Sequence, residues 1–416
     1  MPFVKLSGPR SRVPGPDNLL DATLRHLREL VSFDTRNPPR AIGTGGIFDY
    51  LRAQLPGFHV QVGDHGAGAV SLLAVRGDPE LLFNVHLDTV PDAPRWSASP
   101  FELRTTEDRA IGLGACDIKG AAAALLAVAG ACEGDMALLF TTDEEGVDPR
   151  CVASFLEAFP SPSGRRLREA PDEGSRSAGG HNNAEPSPEP VSREARGFHA
   201  VIVAEPTRCE AVLAHRGIQS VCARFAGRAG HASIEQKPTD NALHQAVRWA
   251  NAALDFAEAQ AQRNFGDLRG LRFNLGRIEG GIKANVVAPD AELRIGMRPL
   301  PSMDMDELLE RFHTLADQAP VEFRETFRGP PLPSATNRAE ADLAAARASA
   351  TGLGLPVGPA VDFWTEASLF SQAGYTTFVY GPGDIAQAHS ADEWVALAHL
   401  QRYADSIHRI VAEAQA

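Results

Sequence analysis

Leu20, Leu24, Leu27 and Val31 return at the spacing of one helix face, with Asp17 ahead of them as an N-cap. The pattern stops before Asn37-Pro38-Pro39, where proline cannot continue a helix. Short apolar runs at 70–75 and 81–85 read as strands. Residues 119–131 form an alanine-dominated helix, 137–142 an apolar strand-length run and 151–159 a short helix. Strands alternating with helices predict an α/β unit around a mostly parallel sheet.

The pattern breaks at 161–197, where Pro, Ser, Gly, Arg and Glu replace the large apolar residues. Such a segment buries too little surface to offset its ordering entropy, so it reads as a disordered insertion ahead of a strand at 199–204. From 209 to 328 a different rhythm follows. A strand-like segment at 213–225, a helix at 241–260, strands at 271–278 and 291–299, a helix at 305–317 and a strand at 321–327 give the order βαββαβ. That order is ferredoxin-like. A helix at 338–350, a strand at 376–380 and a helix at 397–414 return to the first rhythm. The predicted architecture is therefore a larger α/β domain (17–208 and 329–416) into which a small α+β domain (209–328) is inserted, behind a disordered leader at 1–16.

Composition narrows the function. The 416 residues carry 40 Lys and Arg against 53 Asp and Glu, a net charge of −13. Nucleic acid and anionic membrane are poor partners for such a chain, because phosphates need a basic footprint. No run approaches ~18 apolar residues, so no membrane span is expected. The leader carries Lys5, Arg10 and Arg12 but no apolar core, which argues against a signal peptide. Five cysteines, an odd number without C-x-x-C spacing, read as small buried apolar residues in a reducing cytosol.

Five short clusters carry candidate chemistry. In an extended segment His86 and Asp88 point to one side, either as a metal ligand with the carboxylate that orients it or as a hydrogen-bonded pair. Gly112-Leu113-Gly114 precedes Asp117, which is either a ligand or the N-cap of the alanine helix; the third glycine of a dinucleotide fingerprint is out of place. Asp143-Glu144-Glu145 follows an apolar run, either as a solvated loop or as ligand and general base side by side. Glu205-Pro206-Thr207 ends another apolar run, and Gly381-Pro382-Gly383 precedes Ala388-His389. His86, Glu144, Glu145 and Glu205 fall at the C-terminal ends of predicted strands, the edge where parallel sheets gather ligands. Two histidines with several carboxylates and no cysteine suit zinc, cobalt or manganese.

These five clusters, in this order, resemble the M20 metallopeptidase family, and the resemblance runs from about residue 20 to 410. It implies an α/β fold, a mostly parallel-sheet di-metal catalytic domain with an inserted ferredoxin-like α+β lid or dimerisation domain. It implies two divalent ions, zinc or cobalt, bridged by Asp117. His86 and Glu205 complete one site, Glu145 and His389 the other. Glu144 is the implied general base, with Asp88 orienting His86. On the lid, His231 is the residue that reaches the reaction centre, and Asn285 and Arg298 stand where the family holds a substrate carboxylate. Residues 111–120, 212–217 and 361–367 are similar to the branch that hydrolyses N-acetylcitrulline. Close relatives act instead on N-acetylornithine or on succinyl-diaminopimelate. Ornithine's cation calls for a buried acid, for which Glu366 is a candidate, whereas neutral citrulline calls for paired hydrogen-bond partners. The implied partner is a small N-acyl amino acid, with a homodimer formed through the lid. A non-catalytic relative would lack the base or a ligand, and none is missing here.

Overall fold

The computed structural model describes residues 19–146, 148–161, 197–316, 319–334 and 337–413. The predicted leader, and nearly all of the predicted insertion, lie outside the described residues.

The chain begins with α1 (Leu19–Ser32) and α2 (Ile47–Gln54), then the strands β1 (His59–Asp64), β2 (Val70–Arg76) and β3 (Leu81–His86). Helix α3 (Lys119–Ala131), strand β4 (Met136–Thr141), helix α4 (Arg150–Ala158) and strand β5 (Ala200–Val203) follow. After the small domain come α7 (Ala339–Gly352), α8 (Ala367–Ala373), β10 (Thr376–Val379) and α9 (Leu397–Glu413). The main sheet has the order β1-β2-β4-β3-β5-β10. Strands β4, β3, β5 and β10 run parallel to one another, while β2 pairs antiparallel with β1 and β4.

Alternation along the central strands sorts their side chains into two layers. Phe83 and Val85 of β3, with Met136, Leu138 and Phe140 of β4, enter the core beneath α1, α3 and α9. Leu82, Ala137 and Leu139 enter the opposite core, beneath α4 and α8. Both faces are covered, which explains why β4 is buried at every position and reads as an unbroken apolar run. Alanine along α3 lets α1 and α9 approach it closely.

The inserted unit contains β6 (Ile218–Ala226), α5 (Ala242–Ala259), β7 (Arg272–Gly280), β8 (Asp290–Arg298), α6 (Met305–His313) and β9 (Glu322–Gly329). Its antiparallel sheet has the order β7-β8-β6-β9. Trp249, fully buried, lies near Phe225, Phe312 and Phe323 and donates its indole N–H to the Phe312 carbonyl at 3.0 Å. Asn241 caps α5 and Asp304 caps α6 through their side chains.

Three local expectations are corrected. The run at 213–225 is not one strand: regular pairing begins at Ile218, and the preceding residues make single bridges back to the larger unit, Val212 to Val379 and His215 to Leu332. At the crossing, Gly217 lies against the Gly329 carbonyl, Pro299 and Pro331, and the buried Arg216 side chain turns to the carbonyls of Arg269 and Gly270. Helix α6 ends at His313, where the Thr314 hydroxyl folds back onto the Glu310 carbonyl. Helices α2 and α8 and the edge strand β1 had no sequence counterpart.

Candidate metal centre

The site follows from the sheet. Strands β3, β4 and β5 run parallel, and His86 of β3 lies opposite Thr141 of β4, so their C-terminal ends meet on one edge. His86 is the last residue of β3; Glu144 and Glu145 follow β4, and Glu205 follows β5. Asp117 arrives from the turn before α3. It is not that helix's cap: Ile118 occupies the cap position without a side-chain bond.

The buried His86 ring directs Nδ1 at the Asp88 carbonyl, 2.9 Å away, and at Asp88 Oδ1, 3.4 Å away. Two acceptors there assign the ring proton to Nδ1, which leaves the Nε2 lone pair for a cation. Nε2 faces Asp117 Oδ1 at 3.3 Å and Glu205 Oε1 at 3.9 Å. On the other side, His389 Nε2 lies 3.1 Å from Asp117 Oδ2 and 3.0 Å from Glu145 Oε1. The Asp117 carboxylate thus stands between two clusters, His86–Asp117–Glu205 and Asp117–Glu145–His389; in each, the ligand atoms lie within 4.8 Å of one another.

Divalent cations fit this donor set. Asp117 Oδ1 and Glu205 Oε1 are buried without a hydrogen-bond partner, which is costly for a carboxylate unless positive charge arrives. Histidine nitrogen and carboxylate oxygen, without thiolate, match zinc, cobalt or manganese.

Electrostatics point the same way. Burial, then repulsion by Glu205, pushes the Glu144 carboxyl well above its usual range, and burial does the same to Glu205. Burial also raises Glu145. For His86, burial works against the charged ring, but Asp117 and Asp88 outweigh it and raise the ring well above its usual value. Asp117 is pushed up by burial and pulled further down by His389 and His86, so it stays ionised. Asp117 and then Glu145 raise His389 to about 10.

That value sets a pH dependence. A raised histidine contributes stability that is complete below its ordinary value of 6.5 and is lost as the pH rises through about 10. A metal must displace the same proton, so affinity should climb about tenfold per pH unit for each proton released. Cobalt should therefore raise the melting temperature more at about pH 8.5 than at about pH 6. Thermal melts of metal-stripped protein with and without cobalt at the two pH values check this; an equal or smaller shift at the higher pH would contradict it.

The acidic triplet divides. Asp143 is buried away from the cluster, accepts from the Cys151 backbone N–H at 2.9 Å and pairs with Arg40 at 3.4 Å. Asp88 has a second role: its Oδ2 accepts from Asn37 Nδ2 at 2.9 Å and from the Glu145 N–H at 3.1 Å, tying the two ligand loops together. Sequence reasoning missed Asn37, whose Asn-Pro-Pro setting signals only a helix stop. Glu366 is buried, accepts from the Thr141 hydroxyl at 3.0 Å, and is pushed up to about 8 by burial.

On the lid, the segments that carry His231 and Asn285 pair with each other. The Ala232 N–H donates to the Asn285 carbonyl at 3.1 Å, and His231 bridges to Val286. His231 is exposed, with Nδ1 2.7 Å from the Ser233 hydroxyl. Arg298 is half-buried at the end of β8. Among the described residues, no hydrogen bond or ion pair joins these three side chains to the metal-site residues. The five cysteines are free thiols, four of them buried, as the apolar reading expects. Among the described residues no helix is long and apolar enough to cross a membrane.

The family model described as peptidase family M20/M25/M40 matches residues 82–413. The chain is 61% identical over 398 residues to the N-acetyl-L-citrulline deacetylase of Xanthomonas campestris pv. campestris, spanning 95% of this chain and 98% of that protein. It is 30% identical over 339 residues to the acetylornithine deacetylase of Edwardsiella ictaluri, spanning 78% of each. Among solved structures, an M20 family metallo-carboxypeptidase from Sulfolobus solfataricus matches with a TM-score of 0.64 at 15% identity, covering 94% of this chain and 98% of that one. A di-peptidase from Saccharomyces cerevisiae matches at 0.63 and 12% identity, covering 96% and 97%. At such identities the structures speak to the fold alone. With the family model matching residues 82–413 and the deacetylase relative matching 95% of the chain, the chain belongs to peptidase family M20/M25/M40.

Proposed function

We propose that this chain hydrolyses the amide bond of N-acetyl-L-citrulline, giving citrulline and acetate, as a step of arginine biosynthesis in the cytoplasm. The observation that carries this reading is the 61% identity, over 95% of the chain, to a protein bearing that activity in its name.

His86, Asp117 and Glu205 would hold one divalent ion, and Asp117, Glu145 and His389 a second; zinc and cobalt both suit these ligands. Such ions supply Lewis acidity and lower the pKa of a water shared between them. Asp88 keeps the His86 proton on Nδ1 and so keeps Nε2 available. Glu144 is the general base: it takes the proton from the attacking water and returns it to the leaving nitrogen as the C–N bond breaks. Its raised affinity for a proton, caused by burial and Glu205, suits that shuttle. From the lid, His231 would donate to the oxyanion, while Arg298, with Asn285, would grip the free α-carboxylate.

Because His231 makes no bond to the cluster among the described residues, its role calls for lid movement or a second protomer. Exposed Val247, Leu254, Ile278 and Ile282 on the lid support a homodimer formed there.

Acetate release from N-acetylcitrulline and N-acetylornithine, measured side by side on cobalt-loaded protein, tests the reading. A higher kcat/KM for the citrulline derivative is the expected result. A preference for the ornithine derivative would keep the hydrolytic roles and overturn the substrate.

A further inference from the structure

A buried carboxylate that the reaction does not use lies beside the centre. Glu393 is 2% exposed and belongs to the segment that supplies His389. Its Oε1 accepts from the backbone N–H groups of Cys116 and Asp117, both at 2.9 Å, and its Oε2 accepts from that of Gly114 at 3.0 Å. Its own carbonyl accepts from the Gly112 N–H at 3.0 Å. The turn at 112–117 thus has four of its amides bound to one residue remote in sequence. Gly114 takes a φ of +75°, and a Cβ there would meet the Thr89 methyl at 2.7 Å, so the turn is tightly packed where Glu393 grips it.

We propose that Glu393 is a positioning residue for the metal centre, setting the place of the bridging Asp117 by holding its backbone. The inference rests on the metal-centre reading above. Four residues apart, His389 and Glu393 hold residue 117 at both ends, His389 at the carboxylate and Glu393 at the amide. A movement of the 389–393 segment therefore shifts a ligand of one cluster and the ligand common to both. Three amide donors converge on this one carboxylate and take most of its acceptor sites, so the backbone of the 112–117 turn, and not a metal, is what Glu393 holds.

E393Q keeps the shape but removes an acceptor. Its oxygen can serve Cys116 and Asp117, and its amide N–H₂ then opposes the Gly114 N–H. Metal-stripped protein titrated with cobalt alone, followed by the visible cobalt spectrum, gives the reading. Because Asp117 is shared, both equivalents should bind more weakly, by about 10- to 100-fold as for other residues that orient ligands, and the spectrum at saturation should change. Trp249→Ala, which opens the lid core away from the site, is the control for general destabilisation: it should lower the melting temperature and leave affinity and spectrum unchanged. If E393Q does not fold, E393D, which keeps the charge but withdraws it by one methylene, replaces it, and weaker cobalt binding is again expected. Unaltered affinity and spectrum in the folded variant would overturn the positioning role. An unaltered chain that takes up no cobalt would overturn the metal-centre reading and this inference with it.

Discussion

Glu144→Gln should reduce kcat for N-acetylcitrulline by about 10²- to 10⁴-fold, the usual contribution of a positioned general base, and leave the metal content unchanged. Glutamine has nearly the same volume and can still accept a hydrogen bond, but it cannot take a proton from water and deliver it to the amine. Glu144 belongs to neither ligand cluster, so removing its charge takes no donor from either ion. The substitution also removes a carboxylate that burial and Glu205 already disfavour as an anion, so the folded protein should be no less stable. Turnover, KM, metal per chain and melting temperature together check the prediction. A kcat within tenfold of the unaltered protein would place the base elsewhere, with Glu366 the next buried acid to test.

Asp117→Ala should have the larger effect on the metals themselves. Each cluster has three protein ligands, and Asp117 is the one they share. Without it, His86 and Glu205 remain for one ion and Glu145 and His389 for the other. Affinity for both ions should fall by more than the 10- to 100-fold that loss of an orienting partner costs, and activity should go with it. The two histidines lose the partner that raises them, so both rings should titrate nearer their ordinary value. Metal content after dialysis and histidine titration by NMR read the two consequences separately. Retention of one ion at full affinity would mean that the clusters are independent and the bridge is not shared.

The catalytic unit was legible because burial on both sheet faces leaves unbroken apolar runs: Leu81 to His86 and Met136 to Thr141 announce their strands, and chemistry at their ends stands out against them. The lid was legible from its strand and helix order. Helix α2 was not, since eight residues after a proline-rich turn give only two helical repeats. Strand β1 lies at the sheet edge, half-exposed, and its alternation rests on Val60 and Val62 alone before Gly63, too short a signal to mark it. At the site, Asp117 as ligand or cap, and the acidic triplet as loop or site, were questions of direction. The structure turns Asp117 to the histidines and Asp143 to Arg40. Asn37 and Glu393 act across 51 and 276 residues of chain, through contacts with no local signature. His231 illustrates the opposite case: its assignment follows from resemblance, and its exposed ring meets the Ser233 hydroxyl.

Stepwise return of cobalt to metal-stripped protein, with acetate release from N-acetylcitrulline measured at each step, tests the central claim most directly. The shared carboxylate requires that stripped protein be inactive and that activity rise to a plateau as two ions per chain are bound. Equal release before and after stripping, or no release from N-acetylcitrulline at full cobalt loading, would contradict it.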